Sequence, residues 1–222
     1  MTNAAKKEGV TKTVIRANVD RNGAVTLRGD IPKDAINPIV EVNYEDNRNP
    51  IDVGRYAKAV VSKLQEKYGF TKMNMVGHSL GNMSILYYLL EHAQDENLPQ
   101  LQKQVNIANF AAGLEAMGLS SDVKVDKTTG QPNQVTQTFQ RLLPLREVFP
   151  QNQIDVLNIY GDYKNGSDGS VLNSSSRSLK YLVADNAKSY QEKKITGKLA
   201  QHSQLHENPE VDKLLIQFLW GK

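Results

Sequence analysis

Met73-Asn74-Met75-Val76-Gly77-His78-Ser79-Leu80-Gly81 is the stretch that decides how this chain is read. Met73 to Val76 is a short run, too brief for a helix, and it leads straight into Gly77. Beyond Gly81, Met83, Leu86 and Leu90 recur at the spacing of a buried helical stripe. Ser79 therefore stands where a buried strand turns into a helix, with glycine two residues to either side. A G-x-S-x-G pattern often arises by chance as a glycine-rich turn with an incidental serine; the strand before it and the helix after it give it meaning. The turn is strained and crowded, so minimal side chains are expected at both glycine positions. It lifts the serine hydroxyl above the sheet edge at a helix N-terminus. There the N–H of Leu80 points at a developing oxyanion, and the helix dipole favours negative charge. His78 is expected to point away from the nucleophile, as a packing or support residue.

A serine nucleophile needs a base, and the base needs a carboxylate that fixes its tautomer. In a strand–serine–helix context the order along the chain is serine, acid, histidine. Four histidines are available: His78, His92, His202 and His206. His92 falls at a helix end ahead of the acid region and reads as a surface residue. His202 and His206 both precede the C-terminal helix. His202 follows the last strand closely and is preferred, while His206, beside Glu207, fits a solvated or capping role. For the acid, Asp162 and Asp168 both follow the apolar run Asp155 to Tyr160. Asp168 is preferred because it lies in an Asp-Gly-x-Val turn whose valine returns to the core, whereas Asp162 is suited to stabilising the loop. The same loop has a calcium-like spacing of aspartates, but Lys164 occupies a ligand position and no distal glutamate completes the set. No metal and no organic cofactor is expected.

Working outward, the first residues read as the end of a helix stopped by Gly9. Thr11 to Asp20 is a strand, Asn22-Gly23 a hairpin turn, and Val25 and Leu27 alternate on the returning strand. Pro38 to Tyr44 is another β-like run. Tyr56, Ala57, Val60, Val61 and Leu64 have helical spacing, starting near Asn49-Pro50 and stopping at Gly69. Gln104 to Phe110 and Tyr190 to Ile195 read as strands, Ser178 to Val183 as a helix. Val211, Leu214, Leu215, Phe218 and Leu219 mark a final helix that starts at Asn208-Pro209. Residues 113–150 interrupt the rhythm with glycines, Pro132 and short apolar clusters, and read as a lid or cap insertion. Strands alternating with amphipathic helices predict an α/β fold, a mostly parallel sheet with helices on both faces, in one domain spanning 1–222.

Composition agrees. Hydrophobic residues make up 39% and charged residues 23% of 222, a globular balance large enough for a substantial core. The absence of cysteine excludes thiol nucleophiles, thiolate metal sites and disulfides. A net charge of +3 without a basic, aromatic-interleaved stripe argues against nucleic-acid binding. No apolar run reaches the roughly 18–20 residues of a membrane span, and the N-terminus lacks the apolar core of a signal peptide. The chain reads as soluble and without a targeting segment.

With these residues placed, the chain resembles a group of bacterial α/β hydrolases described as cell-surface hydrolases (DUF915-like). The resemblance covers most of the chain. It rests on Asn74 to Gly81, on Gly166-Ser167-Asp168-Gly169-Ser170-Val171 followed by Ser174-Ser175, and on His202-Ser203-Gln204-Leu205-His206-Glu207-Asn208 before Phe218-Leu219-Trp220. It implies the α/β-hydrolase fold, a triad of Ser79, Asp168 and His202, and esterase- or lipase-like hydrolysis of a small ester or lipid-like substrate. It also implies an extracellular or cell-surface location. The same triad could serve acyl transfer to another acceptor or thioester cleavage.

One departure is visible. Members of the group start with an apolar segment and a strand ending in a His-Gly- or Pro-Gly-type loop, which gives the second oxyanion N–H. Here Met1 falls where the helix after that loop should already be under way. The expectation is an N-terminally shortened form, or an element supplied from elsewhere. Losing one oxyanion donor costs on the order of 10²–10³ in rate, and losing a central strand exposes sheet edges. That departure favours the rival reading, a hydrolase-shaped binding protein with impaired turnover.

Overall fold

Near residue 50 the hydrophobic period changes, and the strands on either side of that point belong to different sheets. The structure, a computed structural model, describes residues 1–49 and 52–222. Helix α1 (Thr2–Lys7) leads into β1 (Val14–Val19), which pairs antiparallel with β2 (Val25–Arg28) and, on its other side, parallel with β3 (Ile39–Tyr44). The Asn22-Gly23 turn closes the β1–β2 hairpin. Gly23 adopts φ +89°, and the Asp20 carboxylate accepts the N–H groups of Asn22 and Ala24. The sheet order is β2-β1-β3.

Helix α2 (Asp52–Tyr68) follows, burying Val53, Tyr56, Val60, Val61 and Leu64. Of its predicted start, Pro50 lies outside the described residues. The Asn49 side chain donates to the Asp52 carboxylate at 2.7 Å.

The second sheet is wholly parallel. Strands β4 (Lys72–His78), β5 (Gln100–Ile107), β6 (Asp155–Asp162) and β7 (Ser189–Thr196) lie in that order. Parallel neighbours need crossovers, and helices provide them. Helix α3 (Leu80–His92) joins β4 to β5. Helices α4 (Gln137–Leu142) and α5 (Leu145–Val148) lie between β5 and β6, α6 (Asn173–Arg177) and α7 (Leu179–Val183) between β6 and β7, and α8 (Pro209–Trp220) after β7. One apolar core joins β1 to α2, α3 and the crossover segments. A second, built from Val105, Ile107, Leu157, Ile159 and Ile195, packs against Val211, Leu215 and Leu219 of α8. Both faces of the sheet are thus covered, which suits strands that are apolar on both sides.

Two expectations shift in detail. The strand read over Gln104 to Phe110 runs Gln100–Ile107, because the backbone turns at Ala108, where φ is +50°. The helix read over Ser178 to Val183 is a pair of short helices that together begin at Asn173. Residues 113–150 pack into the main core through Leu119, Phe139, Leu142, Leu145 and Phe149. Thr136 pins that segment twice: its hydroxyl donates to the Ala112 carbonyl at 2.7 Å and accepts the Phe139 N–H that opens α4.

Candidate active site

Ser79 adopts φ +52° and ψ −118°, a conformation that a residue with a side chain holds only under constraint from its surroundings. The constraint comes from below. Its N–H donates to the Ile107 carbonyl at 3.0 Å. The buried Asn82 side chain donates to the carbonyls of both Ser79 and Ile107, at 2.9 and 2.7 Å. Asn106 on β5 donates to the Asn82 oxygen, and Gln104 donates to Asn106. This chain of buried amides sets the turn's height above the sheet. Sequence reading missed it, although Asn82 lies three residues after Ser79, on the inner side of the helix start.

The two flanking glycines are not equivalent. A Cβ on Gly77 would lie 2.7 Å from the Asn82 nitrogen and the Gly81 carbonyl carbon, whereas a Cβ on Gly81 meets nothing within 4 Å. The expectation that both positions need minimal side chains is corrected for Gly81. It has already entered α3, and its Cα faces open space.

Asp168 is 1% exposed. Its Oδ1 accepts the N–H groups of Ser170 and Val171 at 2.9 and 2.7 Å, the turn expected from Asp-Gly-x-Val. Its Oδ2 accepts from His202 Nδ1 at 2.8 Å. The partner is therefore Asp168 rather than Asp162, whose carboxylate accepts the Gly166 N–H and pairs with Lys194. The loop that carries His202 crosses the end of β6 at Gly161, where an added Cβ would lie 2.0 Å from the Ala200 carbonyl oxygen.

His202 Nε2 lies 3.0 Å from Ser79 Oγ. With Nδ1–H donated to Asp168, Nε2 is left as the acceptor for the serine hydroxyl. The backbone of His202 is held at both ends: its N–H donates to the Asp168 carbonyl at 2.8 Å, and its carbonyl accepts from His78 Nε2 at 2.9 Å. His78 thus turns from the serine toward the backbone beneath the imidazole. Its ring sits 5.0 Å from the rings of both His202 and His206. Burial pushes its pKa down from 6.5 to about 4, so the ring is neutral at pH 7. His206 pairs with Glu207 at the surface, and His92 lies at the far end of α3 beside Tyr88 and Glu91. The structure brings Ser79, His202 and Asp168 into one hydrogen-bonded line and leaves His206 and His92 out of it.

Leu80 is the first residue of α3, so its N–H has no partner within the helix and is placed beside Ser79. No group of three or more histidine, aspartate or glutamate residues is arranged to hold a metal ion among the described residues. Among the same residues, no helix is long and apolar enough to cross a membrane.

The sequence profile of a family described as alpha/beta hydrolase of unknown function (DUF915) matches residues 1–222. The structure is similar to that of a gene product of Listeria innocua, with a TM-score of 0.89 and 28% identity over 99% of this chain and 86% of the other. It is also similar to a predicted cell surface hydrolase of Lactobacillus plantarum, with a TM-score of 0.80 and 22% identity over 100% of this chain and 84% of the other. No curated protein gives a significant match.

Proposed function

The chain belongs to the DUF915 family of α/β hydrolases, and from that premise we propose that it is a serine hydrolase acting on ester-type substrates, carboxylic esters or lipid-like esters. The observation that carries this reading is the unbroken line from Ser79 Oγ through His202 to Asp168, with both links at or below 3.0 Å. Ser79 Oγ attacks the ester carbonyl carbon while its proton passes to His202 Nε2. The resulting imidazolium is stabilised by Asp168, and the oxyanion is held by the N–H of Leu80. Collapse expels the alcohol, which takes the proton from His202, and leaves an acyl group on Ser79. Water then attacks the acyl-enzyme, giving its proton to His202, and the carboxylic acid departs as the serine is reprotonated.

Residues 113–150 would shape the pocket for the acyl or alcohol group, since they follow β5 directly at the serine end of the sheet. The description of the Lactobacillus relative supports an extracellular or cell-surface site of action. The chemistry calls for no cofactor.

A second reading is a hydrolase-shaped binding protein with impaired turnover. It takes its support from the oxyanion side, where the donor placed beside Ser79 among the described residues is the Leu80 N–H at the start of α3. Incubation with a fluorophosphonate probe, followed by mass mapping, separates the two. A single adduct on Ser79, together with hydrolysis of p-nitrophenyl esters, is expected. Folded protein that takes up no probe would sink the enzyme reading.

A further inference from the structure

The open face of the first sheet carries a row of charge. Ile15, Ala17 and Val19 of β1 are buried in the main core, so Arg16 and Asn18 point to the opposite face. Register places Arg16 beside Glu41 of β3 on one side and Arg28 of β2 on the other. Residues paired in this way share a face, and across an antiparallel pair their Cβ atoms lie about 4.5–5.5 Å apart. Two arginines therefore stand directly opposite each other. Like charges so placed destabilise a sheet unless something negative lies between them.

The acids nearby do not supply it. Glu41 accepts from Arg16 at 3.0 Å with one oxygen and from the Thr2 hydroxyl at 2.7 Å with the other. Asp30, two residues beyond Arg28, turns the other way, to Lys67 at 2.9 Å and to the Tyr68 hydroxyl. Among the described residues no carboxylate pairs with Arg28 or with Lys6. Helix α1 lies over the row, with Thr2 above Glu41 and Lys6 one turn further along the same side. Between α1 and β2 is an open groove of about 500 Å³, and its lining includes Thr2, Asn3, Lys6, Arg16, Arg28 and Glu41. Three cations there face one carboxylate, an excess of two positive charges.

We propose that this groove binds a small phosphate ester, with the phosphate held between Arg28, Arg16 and Lys6. Guanidinium forks match the edges of a phosphate, and a dianion balances the surplus charge. A carboxylate fills only one fork and leaves a positive charge over. The groove is larger than a phosphate alone and falls in the size range of small-ligand sites. Asn3 and Thr2 offer the rest of the ligand an amide and a hydroxyl oxygen, which suits a hydroxyl-bearing ester such as a polyol phosphate. A soluble ester and a phospholipid headgroup share this chemistry. The lining comes from α1 and the first sheet, whereas Ser79 and its partners stand on turns of the second. The inference therefore does not depend on Ser79 being reactive.

The test is a chemical-shift titration of backbone and arginine N–H groups in the 222-residue chain. The probes are inorganic phosphate, glycerol 3-phosphate and acetate, at fixed ionic strength and about pH 8, where phosphate esters are dianions. Saturable shifts at Lys6, Arg16 and Arg28 are expected below about 10 mM of either phosphate, with acetate at least about tenfold weaker. Arg16→Gln and Arg28→Gln should each weaken glycerol 3-phosphate at least about tenfold. Lys127→Gln, which removes an exposed cation of the 113–150 segment, should leave affinity within about twofold, as a site requires and diffuse attraction does not. Without ligand, Arg28→Gln should melt no lower than the parent, because it relieves the facing charges. Co-sedimentation with phosphatidylglycerol vesicles distinguishes the sources. Capture that Arg28→Gln abolishes assigns the phosphate to a lipid headgroup, and glycerol 3-phosphate binding without capture assigns it to a soluble ester. Equal affinity for acetate, shifts that survive Arg28→Gln, a lower melting temperature for that variant, or no saturation by about 50 mM would each overturn the site.

Discussion

His78 donates its Nε2–H to the backbone carbonyl of His202 at 2.9 Å, so the histidine beside Ser79 holds the main chain of the histidine whose ring reaches the Ser79 hydroxyl. Burial keeps that ring neutral, with a pKa near 4 against 6.5 when exposed. Between those values the unfolded chain binds a proton that the folded chain refuses. Stability is therefore full above about pH 6.5 and falls as pH drops toward about 4, by up to on the order of 3 kcal/mol from this group. His78→Gln keeps an N–H for the carbonyl and has nothing to titrate. Urea unfolding at pH 7 and pH 4.5 should show a smaller acid loss in the variant than in the parent, by about 2 kcal/mol. Equal losses would show that His78 is not the group responsible.

The two aspartates of the acid loop should separate sharply. Asp168→Asn removes the charge that supports His202 and should lower ester hydrolysis by on the order of 10²–10⁴. Asp162→Asn loses an exposed pairing with Lys194 and a turn bond, and should stay within about threefold of the parent. Comparable kcat/KM for both variants would contradict the assignment of the acid.

His202→Ala should reduce fluorophosphonate labelling of Ser79 by at least about 10³. His206→Ala removes a surface pair with Glu207 and one edge of the ring cluster, and should cost less than about tenfold. If His206→Ala is the more damaging change, the base is misassigned.

Gly77→Ala forces a methyl group into backbone 2.7 Å away and should destabilise the protein by several kcal/mol or prevent soluble expression. Gly81→Ala places its methyl in open space on a helix and should be neutral or stabilising by up to about 1 kcal/mol. Thermal unfolding of the pair decides the matter, and a large loss for Gly81→Ala would refute the asymmetry.

Most of this architecture was legible because period and punctuation coincide. The Ser79 turn could be read from a short strand-like run, two glycines and a helical stripe, and the C-terminal helix from its single apolar face and its Asn208-Pro209 start. The Asn208 side chain does accept the Glu210 N–H at that start. Asp168 was readable because its turn is local, made by its own neighbours. Choosing His202 over His206 depended on proximity to the last strand, which is a weaker signal, since both lie in one loop and only tertiary packing aims a ring. The Gln104, Asn106 and Asn82 chain was not legible. Three polar residues on two elements announce nothing until the fold stacks them beneath one turn. The split between the sheets was also hidden, because a run of β-formers states that a strand exists and not which neighbour it lacks.

Residues 113–150 contribute Phe139, Leu142, Leu145 and Phe149 to the main core. The Ser175 and Ser176 hydroxyls, on the helix after the acid loop, donate to the Gly113 and Asn109 carbonyls at 2.6 and 2.5 Å. The wall proposed for the substrate pocket is thus also a supporting beam of the main core. Variants selected for larger substrates should emerge with lowered melting temperatures, and heat-tolerant variants with narrowed substrate range. Under the proposed function, taste and toughness are inherited through the same side chains.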